Sequence, residues 1–171
     1  YKRQDIDSRN VVVSDCYIDC DDDALCLKSD TDTPCENVTV TNCVLKSNCN
    51  AIKFGTSSYS GFKNVTISNC TIDRASEDHI RQWYKNYPWI GTKHKTVVAG
   101  IALESVDGGI IENVSISDIA MQGVQTPIFV RLGDRKRTFS KQMSRINDVM
   151  ISRIIARSEG KIACSITGVP G

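Results

Sequence analysis

Along the chain, apolar residues alternate with polar ones over short stretches, and the alternation returns at a fixed interval. Asn10-Val-Val-Val-Ser-Asp-Cys16, Asn37-Val-Thr-Val-Thr-Asn-Cys43 and Asn64-Val-Thr-Ile-Ser-Asn-Cys70 are one unit repeated every 27 residues. Asn113-Val-Ser-Ile-Ser-Asp-Ile119 is a fourth copy and Asp148-Val-Met-Ile-Ser-Arg-Ile154 a looser fifth. Period two predicts strands at 11–13, 38–40, 65–67, 114–116 and 149–151, with alternate residues pointing inward. After a Ser/Thr–Asp/Asn bend comes a column of Cys16, Cys43, Cys70, Ile119 and Ile154, then one of Ile18, Leu45, Ile72, Met121 and Ala156. A second strand starts 13 residues after the first at 24–28, 51–55, 127–131 and 162–166, and another falls at 100–104, where an insertion stretches the interval to 35 residues. No such turn buries its apolar face alone, so the turns must stack. The expected fold is all-β: a right-handed parallel β-helix of about six coils in a single domain over 1–171.

Two insertions, at about 73–98 and 133–147, interrupt the spacing, and loops that interrupt a solenoid cluster on one face. The first holds Trp83, Trp89, His79, His94, Tyr84 and Tyr87. Ile80, Trp83, Tyr84 and Tyr87 have helical spacing, which predicts a short helix near 75–90, ended by Pro88. Its aromatic stripe either docks the helix on the solenoid or forms a wall for stacking sugars. The second carries Arg135, Lys136, Arg137, Lys141 and Arg145, as a solvated loop or a local site for an acidic ligand.

Charge changes the picture by exclusion. With 21 Lys and Arg against 20 Asp and Glu, the net charge of +1 offers no global field for nucleic acid or an anionic membrane. No apolar run approaches the roughly 20 residues of a bilayer span. The eight cysteines lack paired CxxC motifs, which argues against structural zinc, and Cys16, Cys43 and Cys70 read as buried free thiols. The N-x-Ser/Thr matches at Asn37, Asn64, Asn69 and Asn113 fall inside the repeat and read as its composition, not as glycosylation signals. The first residues, Tyr1-Lys2-Arg3-Gln4-Asp5, are no signal peptide, and the pattern begins and stops mid-coil. That leads one to expect a piece truncated at both ends, self-associating in isolation.

Period two in the second strand turns Lys28, Lys53, Glu104 and Arg131 onto one outward face, stacked about 4.8 Å apart. At its head stands Asp21-Asp22-Asp23. Adjacent carboxylates share a proton because like charges raise one pKa, and such a pair suits acid/base cleavage of a glycosidic bond. A polar turn or a cation site fits the same triplet.

Cys20-Asp-Asp-Asp-Ala-Leu-Cys-Leu-Lys-Ser29, Pro34-Cys-Glu-Asn-Val-Thr-Val-Thr-Asn-Cys43 and Asn50-Ala-Ile-Lys-Phe-Gly55 resemble glycoside hydrolase family 28, the polygalacturonase-like, pectin-cleaving enzymes with the pectin-lyase-like solenoid. Gly100-Ile-Ala-Leu-Glu-Ser-Val-Asp-Gly-Gly109 and Pro127-Ile-Phe-Val-Arg-Leu-Gly-Asp-Arg135 look most like a bacterial branch. The resemblance implies an inverting hydrolase with Asp22 as acid and Asp23 as part of the base. Substrate binding falls to Lys28, Asn50, Lys53, Glu104 and Arg131. The chain departs from the family at the third aspartate, which falls near Lys2. It departs again at Asn50, where the family has histidine, and at Ala102 and Glu104, where it has two cations. Lys53 and Arg131 would supply the missing cations. Also implied are a pectic or other acidic polysaccharide as partner, a monomer at full length, and a secreted or periplasmic location. No cofactor or metal is expected. A non-catalytic carbohydrate-binding or structural β-helix, and a calcium-dependent lyase, remain as alternatives.

Overall fold

A computed structural model of the chain describes residues 3–76, 97–136, 142–160 and 164–169. The expected helix near 75–90 falls almost wholly outside them, as do the aromatic stripe and Arg137 and Lys141. Among the described residues the protein is all-β, with every strand pair parallel.

The strands form one curled sheet in three columns. The first stacks β1 (Arg3–Ile6), β4 (Leu25–Ser29), β7 (Asn50–Ser58), β9 (Val97–Ser105), the later part of β10 (Ile110–Leu132) and β12 (Cys164–Thr167). The second stacks β2 (Arg9–Ser14), β5 (Cys35–Thr41), β8 (Phe62–Arg74), the early part of β10 and β11 (Arg145–Ser158). The third adds β3 (Tyr17–Cys20) and β6 (Val44–Ser47) to the far ends of β8, β10 and β11.

The register follows the repeat. Val11 pairs with Val38, Val38 with Val65, Val65 with Val114 and Val114 with Val149. Ile18, Leu45, Ile72, Met121 and Ala156 form another continuous row. Cys16, Cys43 and Cys70 lie in successive turns: Val44 N donates to the Cys16 carbonyl at 2.9 Å and Thr71 N to that of Cys43 at 3.0 Å. Cys43 and Cys70 are buried and Cys16 half-buried, and the eight cysteines form no disulfide with one another. The interior between columns is apolar, with Phe54 and Phe62 edge to face at 5.2 Å. Stacking like on like removes both neighbours' apolar surface from water at once, about 25 cal/mol per Å².

The last strand corrects the spacing rule. Ile128 pairs with Cys164, so the partner of 128–131 is 164–167, one residue beyond the 163–166 that the expected strand at 162–166 implies. The offset between partners is 35 residues up to Gln122–Arg157, 34 at Val124–Ser158 and 36 from Ile128–Cys164, so the added length enters the later strand after Ser158.

What curls the sheet is a pair of left-handed backbone positions in each turn. Asn10, Asn37, Asn64, Asn113 and Asp148 have φ between 51° and 58°, and Asp15, Asn42, Asn69, Asp118 and Arg153 between 50° and 57°. Asn and Asp adopt this region more readily than other residues with a Cβ, since their short side chains bond locally. The first set also forms a ladder. Asn37 Nδ2 donates to Asn10 Oδ1 at 2.9 Å, Asn64 to Asn37 at 3.0 Å and Asn113 to Asn64 at 2.8 Å. Three of the four N-x-Ser/Thr asparagines thus spend their amide nitrogens on the stack.

Candidate functional site

The site lies at the head of the first column, where β3 turns into β4. Asp21 and Asp22 are half-buried there and Asp23 is buried, 5% exposed. The turn is pinned from below: Ser47 Oγ donates to the Asp22 carbonyl at 2.6 Å, and Asn48 Nδ2 to Asp21 Oδ1 at 3.2 Å. Asp22 Oδ1 accepts the Asp23 N–H at 2.8 Å. Asp23 Oδ1 accepts two bonds from Asn50, from its backbone N at 3.2 Å and its Nδ2 at 2.8 Å. Asn50 stands 27 residues after Asp23 and is its partner from the next turn.

Lys53 completes the arrangement. Its Nζ lies 3.7 Å from Asp23 Oδ2 and 3.4 Å from Glu104 Oε1, with the lysine side chain only 15% exposed. Burial pulls the Lys53 pKa down, yet Asp23 and Glu104 together outweigh it and leave it raised. Asp22, Asp23, Asn50, Lys53 and Glu104, expected from the sequence, therefore form one connected cluster.

Lys28 and Arg131 do not join them, and the expected single stack of four charges is corrected. Lys53 pairs across the sheet with Cys26 and Ala102, and Ala102 with Phe129. Glu104 pairs with Arg131 in the next row along, and Lys28 has no partner in register on β7. The row order follows the repeat itself, since 27 residues after Lys28 comes Gly55. A register shift between Leu27 and Ser29 follows immediately. Nor is this face open: Cys26 and Ala102 are fully buried and Glu104 is nearly so, while Lys28 is half-buried and Arg131 exposed. Small residues on either side of Lys53 leave room for its stem to lie flat, carrying the ammonium between two carboxylates.

Gly55 explains how closely the turns approach. It has φ +91°, and a Cβ there would stand 2.3 Å from the Glu104 carbonyl oxygen. Only glycine fits that close passage.

Two features were not foreseen. Cys49 joins Asp22 and Asp23 with donor atoms all within 4.8 Å of one another, and burial, then Asp23, pushes its thiol up to about 12. A cation there would meet the Lys53 ammonium beside Asp23, so the cluster does not read as a metal centre. Arg135, expected to be solvated or to meet an acidic ligand, instead grips the buried Asp107 through Nε at 2.7 Å and through Nη2. It also donates to the Thr56 carbonyl, and Asp107 accepts from Ser58 N. The clasp ties the base of the second insertion to β7. Its acceptor lies in Ser105-Val-Asp107, and no spacing in the sequence pairs it with Arg135.

Comparison with known proteins adds no name: no family model, no curated protein and no solved structure matches the chain. Among the described residues no helix is long and apolar enough to cross a membrane.

Proposed function

We propose that the curled parallel sheet is a right-handed β-helix of about six coils and that the chain is a polygalacturonase-like glycoside hydrolase. It would cleave O-glycosidic bonds of pectic polysaccharide with Asp22 as acid and Asp23 as part of the base. The observation that carries the reading is the unequal carboxylate pair. Asp22 is half-buried at the surface of the turn, within reach of a leaving oxygen, while Asp23 lies beneath it, gripped by Asn50 and Lys53. Two carboxylates held in different surroundings are what a division into acid and base needs. Lys28, Asn50, Lys53, Glu104 and Arg131 bind or orient the sugar around them.

The pair is close: oxygens of Asp22 and Asp23 approach within 4.8 Å. Most inverting sites separate their carboxyl groups by roughly 6.5–9.5 Å to seat water between them. In the inverting reaction proposed here, the water therefore sits beside the pair on the Asp23 side. NMR of the first anomer released checks this, and a retained configuration would replace the inverting scheme with a nucleophilic one.

The central test is Asp22→Asn. It should lower kcat on pectic oligosaccharides at least about 100-fold, the scale of a lost general acid, with an unchanged circular dichroism spectrum and melting temperature. Equal rates for both proteins on every oligosaccharide the wild type cleaves would remove the assignment. An unsaturated, ultraviolet-absorbing product made only with calcium would turn the reading to a lyase.

A further inference from the structure

Spacing treats the four Asn-x-Ser/Thr matches alike, but the structure separates them, and we propose that Asn69 is a site of N-linked glycosylation while Asn37, Asn64 and Asn113 are not. These three donate their Nδ2 to the asparagine of the turn before, at 2.9, 3.0 and 2.8 Å. Each amide is thereby held along the stack, with a neighbouring carboxamide about 4.8 Å away. A sugar on that nitrogen would press on the neighbour, and turning the amide outward to make room breaks the ladder. Asn69 belongs to the other left-handed row, of Asp15, Asn42, Asn69, Asp118 and Arg153. The register sets it between Asn42 and Asp118. Both neighbours are engaged elsewhere. Asn42 Nδ2 donates to Asp15 Oδ1 at 3.3 Å, and its Oδ1 accepts from Thr41 Oγ1 at 3.3 Å. Asp118 accepts from Arg153 Nε and Nη2, both at 2.6 Å, and from Ser117 Oγ at 2.9 Å. The Asn69 carboxamide makes no hydrogen bond among the described residues. Asn69 is exposed at the bend between the second and third columns, and so is Thr71, the hydroxyl residue of the acceptor motif, while Cys70 between them is buried. The sugar donor is a lipid-linked oligosaccharide. Asn69 Nδ2 bonds to the anomeric carbon, the bond from that carbon to the lipid diphosphate breaks, and the diphosphate leaves as the amide loses one proton. The product is still a neutral amide, so neither the Asn42–Asp15 nor the Arg153–Asp118 contact is disturbed, and a bulky, solvated group suits an exposed bend.

Secreting the full chain from a eukaryotic host, behind a cleavable signal peptide, presents all four motifs to the same transferase. The soluble product is treated with a glycan-releasing amidase, which turns each occupied asparagine into aspartate, and read by mass spectrometry. The treatment should mark Asn69 and leave Asn37, Asn64 and Asn113 unchanged. Asn69→Gln and Thr71→Ala should each abolish the loss of mass on amidase treatment and keep the wild-type circular dichroism spectrum. An unmodified Asn69, or a glycan on any of the three ladder asparagines in the soluble protein, overturns the inference. A second measurement needs no secreting host. In NMR of the full chain, the side-chain amide protons of Asn69 should exchange with water at least about tenfold faster than those of Asn64, which is held from both sides. Equal exchange rates would mean that Asn69 is no freer than the ladder, and would overturn the inference as well.

Discussion

Along the asparagine ladder each turn of the chain sets the same residue over itself, whereas along the Asp23–Lys53–Glu104 side each turn sets something different. Asn10, Asn37, Asn64 and Asn113 share one backbone conformation, and each later amide donates to the one before. Across the sheet the row through Lys53 reads Cys26, Lys53, Ala102, Phe129. The difference follows from what tolerates its own image about 4.8 Å away. A carboxamide is donor at one end and acceptor at the other, so a column of them is self-satisfying. A column of like charges at that spacing repels, so charged positions must alternate in sign or be interrupted. The outer surface obeys the same rule, with Arg9 on Glu36 at 3.1 Å and Lys63 on Glu112 at 3.4 Å. Chemistry on a stacked fold is therefore found where the repeat breaks.

The hardest way to break the comparison is to push on the close passage at Gly55. Gly55→Ala would set a methyl group against the Glu104 carbonyl at a φ of +91°. The expected cost is about 3 kcal/mol or more in urea unfolding, because both the contact and the backbone conformation reject a side chain. An unchanged midpoint would mean the two turns are not held together there.

How much of each region could be read beforehand differs for the same reason. The valine, cysteine and isoleucine rows were legible because a fixed spacing of apolar residues has one stacking solution, and the register confirms it row by row. The asparagine at the front of every unit was visible too, but as a marker of the repeat; its left-handed backbone and ladder are a third-dimensional consequence of placing neutral amides in register. At the site, spacing alone puts Lys53 opposite Cys26, not Lys28, and residues that share a face of the sheet need not share a row. No spacing in the repeat marks the partners of Cys49 and Asp107. Their roles come from residues 26 and 28 positions away in the chain, Asp23 and Arg135.

Alkaline pH should sharpen the contrast between the buried thiols and the uncharged ladder. Burial raises the pKa of Cys70 to about 11 and of Cys49 to about 12, against an ordinary 9.0, and pushes Cys20 and Cys43 up as well. A folded-state pKa above the unfolded one means the folded form holds its proton longer. The stabilising contribution is thus complete below about pH 9 and is lost as pH rises towards 11–12. The loss is on the order of 1 kcal/mol per thiol for each pH unit in that window. Melting temperature followed from pH 8 to 11 should fall, and Cys70→Ala should fall less steeply from a lower starting point. The exposed Cys164 should react first with a thiol reagent at pH 8, well ahead of the interior thiols. Parallel slopes for the two proteins would show that other groups govern alkaline unfolding.

The smallest effect tests the ladder itself. Asn64 donates to Asn37 and accepts from Asn113, at a φ of 53°. Asn64→Ala removes two partly exposed hydrogen bonds and leaves a methyl-bearing residue in the left-handed region, for a combined cost of about 2 kcal/mol. Asn64→Gly loses the same bonds but relieves the backbone, so its cost should be about half as large. The order alanine, glycine, wild type in urea midpoint separates the two contributions. Equal costs would mean that the hydrogen bonds carry the ladder and the backbone carries nothing. Because the ladder and the carboxylate pair lie in different strand columns, both variants should keep the wild-type rate on pectic oligosaccharides. A lowered rate on Asn64→Gly would show that the regular side of the stack sets the geometry of the irregular one.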